Sequence, residues 1–388
     1  MNNWRPQLYR KKGKELGVDP EVITHAIEIG TSITRKHRSI PPIFTLKHLA
    51  LVSEVPVHKL RRVVSRDERY GYHYRFFQIK KRSKKGCNAG KRFICIPSED
   101  LMRVQKCINS LILSKIPSHS ASFSYTKGIS IRDAANVHCG CRWLIKLDIR
   151  SYFESISERS VYKVFRSVGF PALLSFEMAR ICTRVIPRKE LDVNSRWTTL
   201  RYKRGRITSY RNWNVGSLPQ GAPSSPMLAN LASIQFDEDI ADIASKHGLE
   251  YTRYADDIAL STDNDAFSRG QASKVIQEVY CAMRRYGFEP NTAKASVTPP
   301  GGRKVVLGLL VDGPFPRLTR EFRSNIKQHL YFCKKAGWGP AKHARNRNFA
   351  SVIGFKNHLF GLISYAMQID PDFGRKMRQD FEGIAWPL

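Results

Sequence analysis

The chain has 388 residues, of which 42% are hydrophobic, and 65 Lys and Arg against 33 Asp and Glu give it a formal net charge of +32. This size and apolar content suffice for two or three packed subdomains. Because so positive a surface repels itself, we expect a polyanion as its usual partner. The sequence contains neither the run of about 20 apolar residues that spans a membrane nor an N-terminal secretory signal. We therefore expect a cytoplasmic protein without a membrane partner.

The eight cysteines are scattered and form no C-x-x-C pair. This pattern predicts reduced thiols packed as small hydrophobic side chains, without disulfides and without zinc.

Residues 1–70 predict an N-terminal helical region in which Val55-Pro56 separates two short helices. A DNA-reading helix-turn-helix is one interpretation of this pair, and an accessory helical pair beside a basic groove is the preferred one. Residues 71–97 predict a β-hairpin around a basic loop. A helix is expected next, with Ser98 as its N-cap.

A strand over RWLIKLDIRSYFESI, which runs into a turn, is followed by a helix over 158–186 and a basic excursion with strand character over 187–216. A long helix is expected to start near Ser224 or Ser225. The segment YTRYADDIALST predicts two strands around an acidic turn.

A helix over about 266–287, a short strand carrying Lys294 and a further β element at KVVLGLLVDG are expected after this turn, and helices over 316–388. This order predicts an α+β fold, with 1–70 as a helical region, 71–315 as a mixed core and 316–388 as a helical subdomain.

Two segments place carboxylates at strand ends. Asp148 ends an otherwise apolar strand, and Asp256 and Asp257 form the acidic tip of an apolar hairpin. Adjacent buried carboxylates repel each other, so a cation is their natural compensation. Carboxylates that converge on one point can hold the two divalent ions of a phosphoryl-transfer site.

The sequence resembles the reverse transcriptases over roughly residues 70–315. Three segments carry the resemblance in the family's order: D-I-R-S-Y-F from Asp148, L-P-Q-G-A-P-S-S-P from Leu218, and Y-A-D-D from Tyr254. The resemblance implies a right-hand polymerase with fingers, an antiparallel palm backed by helices, and a helical thumb over 316–388. It implies an RNA-directed DNA polymerase that uses dNTPs.

The resemblance also implies roles for individual residues. Two Mg²⁺ ions, or Mn²⁺ ions, would be bound by Asp148, Asp256 and the backbone carbonyl of Ile149, with looser support from Asp257. Phe153 falls where the family places a steric gate against the ribose 2′-OH; the alternative is a core aromatic beside Tyr152.

The remaining predicted nucleotide ligands come from three segments. They are Gln220 and Gly221 in the turn before the helix, Tyr254 in the Y-A-D-D segment, and Lys91 and Arg92 in the hairpin. Arg92 is preferred as the triphosphate ligand because its fork makes paired hydrogen bonds to phosphate. Lys294 resembles the lysine proposed to protonate the leaving pyrophosphate, and a surface lysine is the alternative.

Within the family the sequence is most similar to bacterial retron enzymes. Their N-A-x-x-H motif aligns with a segment that keeps Ala135 and His138 but lacks the leading Asn, and their V-T-G motif with one that keeps Val306 and Gly308. All four residues are predicted to contact RNA, although His138 can equally be a satisfied loop histidine. Residues 317–347, with nine Lys and Arg and one acid, are predicted to track phosphates of the product duplex.

The retron resemblance implies a cognate structured non-coding RNA, msr-msd, as template and partner. The family primes from a guanosine 2′-OH and leaves multicopy single-stranded DNA as an RNA–DNA hybrid, with host ribonuclease H removing template. It serves in antiphage defence beside an effector protein. The alternatives are an abortive-infection-like or group II intron-like reverse transcriptase, although no RNase H or endonuclease domain is expected in this chain. A non-catalytic RNA-binding scaffold is disfavoured because all three carboxylates are present.

Overall fold

The computed structural model describes residues 4–66, 73–80, 91–185 and 215–387. They form an α+β protein with antiparallel sheets, which confirms the predicted fold class. In these parts of the chain, every helix is too short or too polar to cross a membrane.

Four helices make up the described N-terminal region, as predicted: α1 Pro6–Glu15, α2 Pro20–Lys36, α3 Leu46–Ser53 and α4 Val57–Ser65. The predicted interruption at Val55-Pro56 lies between α3 and α4. Thr45 accepts a hydrogen bond from the N–H of His48 and so caps α3.

The predicted hairpin pairs β1 Tyr74–Lys80 with β2 Lys91–Pro97 in antiparallel register, and its basic loop lies outside the described residues. Helix α5 spans Glu99–Leu111. Ser98 is its N-cap residue, as predicted, although the Ser98 hydroxyl accepts no capping hydrogen bond from the helix.

A five-stranded antiparallel sheet forms the centre of the chain, in the order β4-β5-β3-β6, with β7 also paired to β3. Six of the eight residues of its longest strand, β3, are buried and one is half-buried, because helices cover the sheet. The elements of this region are α6 Ile131–Asn136, β3 Trp143–Arg150, α7 Tyr152–Ser155, β4 Glu250–Tyr254, β5 Asp257–Thr262, β6 Glu289–Pro290 and β7 Ser296–Thr298.

Two predicted helices are interrupted. The helix expected over 158–186 is divided into α8 Glu158–Val168 and α9 Ala172–Cys182, because Gly169 takes a φ of +110° and Pro171 follows it. The long helix expected after Ser224 consists of α10 Ser225–Ala232 and α11 Ile234–Lys246, which meet at Ser233.

Two further expectations need correction. Lys294 lies in a 3₁₀ turn, Thr292–Lys294, and not in a strand. The acidic turn is shifted by one residue, since Ala255 and Asp256 form it and Asp257 begins β5. Most of the basic excursion over 187–216 lies outside the described residues.

After α12 Arg269–Arg285, the chain forms a small three-stranded sheet and four helices. The four helices agree with the helices expected over 316–388, and the last strand of the sheet also falls within that range. These elements share a second hydrophobic core, separate from the one beneath the central sheet. They are β8 Val305–Val306, β9 Leu309–Leu310, β10 Arg317–Leu318, α13 Arg320–Lys334, α14 Gly339–Asn346, α15 Val352–Ile369 and α16 Pro371–Glu382.

Candidate active site

The three predicted carboxylates meet at one end of the central sheet. Strands β3 and β5 pair so that Asp148 lies directly opposite Asp257. Asp256 precedes Asp257 in the turn between β4 and β5, and its carbonyl oxygen accepts a 2.9 Å hydrogen bond from the N–H of Ile149. The fold therefore brings together two acidic segments that are more than a hundred residues apart in the sequence.

The turn itself has an unusual backbone. Ala255 takes a φ of +55°, a left-handed conformation that side chains other than glycine adopt at a cost of about 1–3 kcal/mol. Both of its peptide groups are held: its N–H donates to the Ser124 hydroxyl at 3.0 Å, and its carbonyl accepts from Arg253 at 3.1 Å. These contacts fix the direction in which the turn presents Asp256.

Asp148 is only 4% exposed, and the residues after β6 hold its side chain. Asn291 donates to one carboxylate oxygen at 2.6 Å and the ammonium of Lys294 to the other at 2.5 Å. A lysine thus supplies the opposite charge that a buried carboxylate requires.

The charges of this cluster shift one another's proton affinity. Desolvation, followed by the negative charges of Asp256 and Asp148, raises the pKa of Asp257 to about 6, although this side chain keeps part of its surface in solvent. Partial burial lowers the pKa of Lys294, but its hydrogen bond to Asp148 and the three negative charges outweigh that effect and raise it. Lys294 is therefore a protonated donor at neutral pH.

The donor set suits a hard divalent cation but is incomplete on its own. Among the described residues, no group of three or more carboxylate, imidazole or thiolate side chains is arranged so that it could hold a metal ion by itself. Magnesium commonly binds through one or two carboxylates, with substrate phosphates and water completing its shell. Asp148 and Asp256 fit that pattern, with Lys294 as the counter-charge beside them.

Aromatic rings line one side of the cluster. The Phe153 ring, half-buried in α7, lies 6.3 Å from the ring of Tyr125, which in turn lies 6.4 Å from that of Tyr254. Phe153 also contacts the buried Tyr152 edge-on at 5.7 Å. Phe153 thus packs on the core through Tyr152 and is connected through the ring of Tyr125 to Tyr254, the last residue of β4.

The predicted turn residues Gln220 and Gly221 contact the β1–β2 hairpin directly. The carbonyl of Gln220 accepts a 2.7 Å hydrogen bond from the N–H of Cys95 in β2. Gly221 has a φ of +111°, and a Cβ there would come within 3.0 Å of the Cys95 carbonyl. Lys91 and Arg92 begin β2, but their side chains lie outside the described part of the chain.

Three of the four residues predicted to contact RNA are buried, and their prediction needs correction. Ala135 and His138 are fully buried, and both nitrogens of the His138 ring are bonded to hydroxyls, Ser261 at 2.6 Å and Thr252 at 2.7 Å. Burial leaves neither side chain available to RNA, and the two hydrogen bonds give His138 a structural role across β4 and β5. Val306 is also buried, whereas Gly308 lies in the exposed turn between β8 and β9.

Three residues at the site were missed from the sequence. Tyr125 borders Phe153, Asn291 holds Asp148, and Arg253 supports the turn. Asn291 could have been found from its position three residues before Lys294. Arg253, in the middle of a strand expected to be buried, was the signal for a buried ion pair.

The comparisons with known proteins agree with this geometry. The family model "Reverse transcriptase (RNA-dependent DNA polymerase)" matches residues 79–309. The chain belongs to this family and is an RNA-directed DNA polymerase with the fold of a right hand.

Its relatives define the branch of the family. The retron Ec86 reverse transcriptase of Escherichia coli is 28% identical over 88% of this chain and 94% of its own. The retron Ec73 enzyme of Escherichia coli is 30% identical over 78% of this chain and 86% of its own. The retron Mx65 enzyme of Myxococcus xanthus is 27% identical over 79% of this chain and 63% of its own. The chain is a bacterial retron-type reverse transcriptase.

Proposed function

We propose that this polymerase copies part of a cognate structured RNA, msr-msd, into multicopy single-stranded DNA from a guanosine 2′-OH primer. The observation that carries the catalytic part is the pairing of Asp148 with Asp257 across β3 and β5, with Asp256 in the adjoining turn. The retron relatives support the RNA-primed part.

Asp148, Asp256 and the carbonyl of Ile149 would hold the divalent ions, and Asp257 would add negative charge beside them. Two such ions neutralise the attacking and leaving oxygens of nucleotidyl transfer. Mg²⁺ and Mn²⁺ both suit these oxygen donors.

The neighbouring side chains orient the reactants. The ammonium nitrogen of Lys294 lies 2.5 Å from a carboxylate oxygen of Asp148, and it would donate a proton to the pyrophosphate that leaves at the same point. Phe153 closes the space beside the nucleotide sugar, which favours dNTPs. Gln220 and Gly221 contact β2. Through this strand they would set Lys91 and Arg92 beside the triphosphate, and Tyr254 would border the same space.

We assign residues 1–70 to an N-terminal helical region, 71–315 to fingers and palm, and 316–388 to a thumb that follows the RNA–DNA product. An effector protein, antiphage defence in the bacterial cytoplasm and template removal by host ribonuclease H belong to the same proposal.

Catalysis is tested with the double variant Asp256→Asn, Asp257→Asn. It should lose dNTP incorporation on a primed RNA template and keep its RNA affinity, because the removed charges do not bind phosphate. Unchanged incorporation would refute the assignment of the site.

The retron role is tested with the nucleic acid that copurifies with the protein from its native host. A branched RNA–DNA hybrid with one nuclease-resistant 2′–5′ linkage is expected. Linear DNA, or DNA joined covalently to the protein, would indicate a different class of bacterial reverse transcriptase.

A further inference from the structure

Arg253 is the largest fully buried side chain in the described part of the chain. Its guanidinium forms a two-pronged ion pair with Asp237 of α11, at 2.6 Å for both nitrogen–oxygen contacts, and both side chains are 0% exposed. A charge pair buried this deeply is costly unless its remaining donors are satisfied, and replacing it with apolar residues often stabilises a protein. Its presence calls for a role besides stability.

Besides this ion pair, Nη2 of Arg253 donates to the Ser122 hydroxyl at 3.1 Å, and the remaining donor points toward the active site. One terminal nitrogen, Nη1, donates to the carbonyl of Ala255 at 3.1 Å and to the hydroxyl of Tyr152 at 2.8 Å. Ala255 is the left-handed residue directly before Asp256. Tyr152 directly precedes Phe153, in the same short helix, α7.

The hydroxyl of Tyr152 fastens this helix from the other side. It donates to the carbonyl of Ala229 at 3.1 Å and lies 2.9 Å from the Ser233 hydroxyl, so it joins Arg253 to α10. Because a four-residue helix has little stability of its own, this anchor fixes how α7 presents the ring of Phe153.

We propose that Arg253 is a positioning residue that sets the catalytic turn and the sugar gate in one fixed relation, and so contributes to discrimination between dNTPs and rNTPs. This inference rests on the site proposed above. Nη1 of one guanidinium reaches both the residue before Asp256 and the residue before Phe153. A shift of either partner is thereby transmitted to the other.

The test compares two Tyr→Phe variants of the same network. Tyr152→Phe removes the hydroxyl on the gate side, and Tyr251→Phe removes a buried hydroxyl that donates to Asp237 at 2.7 Å on the far side. Each change deletes one hydrogen bond to the same ion pair and keeps the ring. Incorporation of single dNTPs and rNTPs on a primed RNA template is measured for both variants, together with their unfolding midpoints.

We expect Tyr152→Phe to raise rNTP use relative to dNTP use by about three- to tenfold, and Tyr251→Phe to stay within about twofold of the wild type. Both should unfold at a lower denaturant concentration. Unchanged selectivity in Tyr152→Phe, or an equal rise in both variants, would overturn the proposal.

Two further measurements keep the outcome clear. If Tyr152→Phe does not fold, Ser233→Ala removes a partner of the same hydroxyl; a smaller rise in rNTP use is then expected, and wild-type selectivity refutes the inference. Asp256→Asn, Asp257→Asn is assayed in parallel. If that variant still incorporates dNTPs, the proposed site itself fails, and the failure is not specific to Arg253.

Discussion

Replacing Gly221 with alanine tests the contact between the turn at Gln220 and Gly221 and the β1–β2 hairpin. At a φ of +111° an L-residue is strained, by about 1–2 kcal/mol. The added Cβ would also lie 3.0 Å from the Cys95 carbonyl and from Cγ2 of Ile94, and such overpacking costs about 1–3 kcal/mol. We expect Gly221→Ala to lower the free energy of unfolding by about 2–5 kcal/mol, the sum of the two effects.

Gly301→Ala is the matched control. Gly301 also has a positive φ, +77°, but nothing lies within 4 Å of a Cβ built there. It should show only the backbone cost of about 1–2 kcal/mol in urea unfolding. Because Lys91 and Arg92, the proposed triphosphate ligands, begin the same strand, Gly221→Ala should also raise the KM for dNTP, and Gly301→Ala should not. Equal destabilisation of both variants, with no change in KM, would refute the inference of a close contact between turn and hairpin.

Three further changes test individual side chains. Phe153→Ala should raise ribonucleotide incorporation in single-nucleotide extension assays; an unchanged rNTP/dNTP ratio would make Phe153 a core residue only. Lys294→Met should lower kcat by about a hundredfold without weakening primer–template binding. The control Lys274→Met, at an exposed position, should change neither quantity. A wild-type kcat in Lys294→Met would refute the proton-donor role. Desolvation lowers the pKa of His138 from 6.5 to about 4, so the unfolded state binds more protons between these values. The stability that this residue contributes above pH 6.5 is then lost as the pH falls toward 4, and the free energy of unfolding decreases by about 3 kcal/mol. Urea titrations over this pH range should show a smaller decrease in His138→Gln than in the wild type. The same decrease in both proteins would contradict the burial of a neutral His138.

The arrangement of the carboxylates could be predicted because each acidic segment carries its own local signal. An apolar strand ending in Asp148 and a hairpin with Asp256 and Asp257 at its tip are both patterns within a dozen residues. The reverse transcriptase motifs then supplied the pairing of the two segments, which the strand register shows directly.

The missed features depend on contacts distant in sequence. The side-chain partners of Arg253 include Ser122, Tyr152 and Asp237, which come from three separate segments, and no pattern around residue 253 indicates which of them it meets. His138 was predicted to contact RNA because it matches the retron N-A-x-x-H motif, with a satisfied loop histidine as the alternative; hydroxyls on β4 and β5 satisfy its ring in the interior. The interruptions at Gly169 and Ser233 are small local departures within otherwise helical patterns.

The central claim is that Asp148 and Asp256, with support from Asp257, bind divalent ions for nucleotidyl transfer. The most direct measurement counts Mn²⁺ ions bound to the protein with a primed RNA template and a non-hydrolysable dNTP, for the wild type and for Asp148→Asn. Two ions per chain are expected in the wild type and fewer in the variant, with the template still bound. The same Mn²⁺ stoichiometry and affinity in both proteins would contradict the claim.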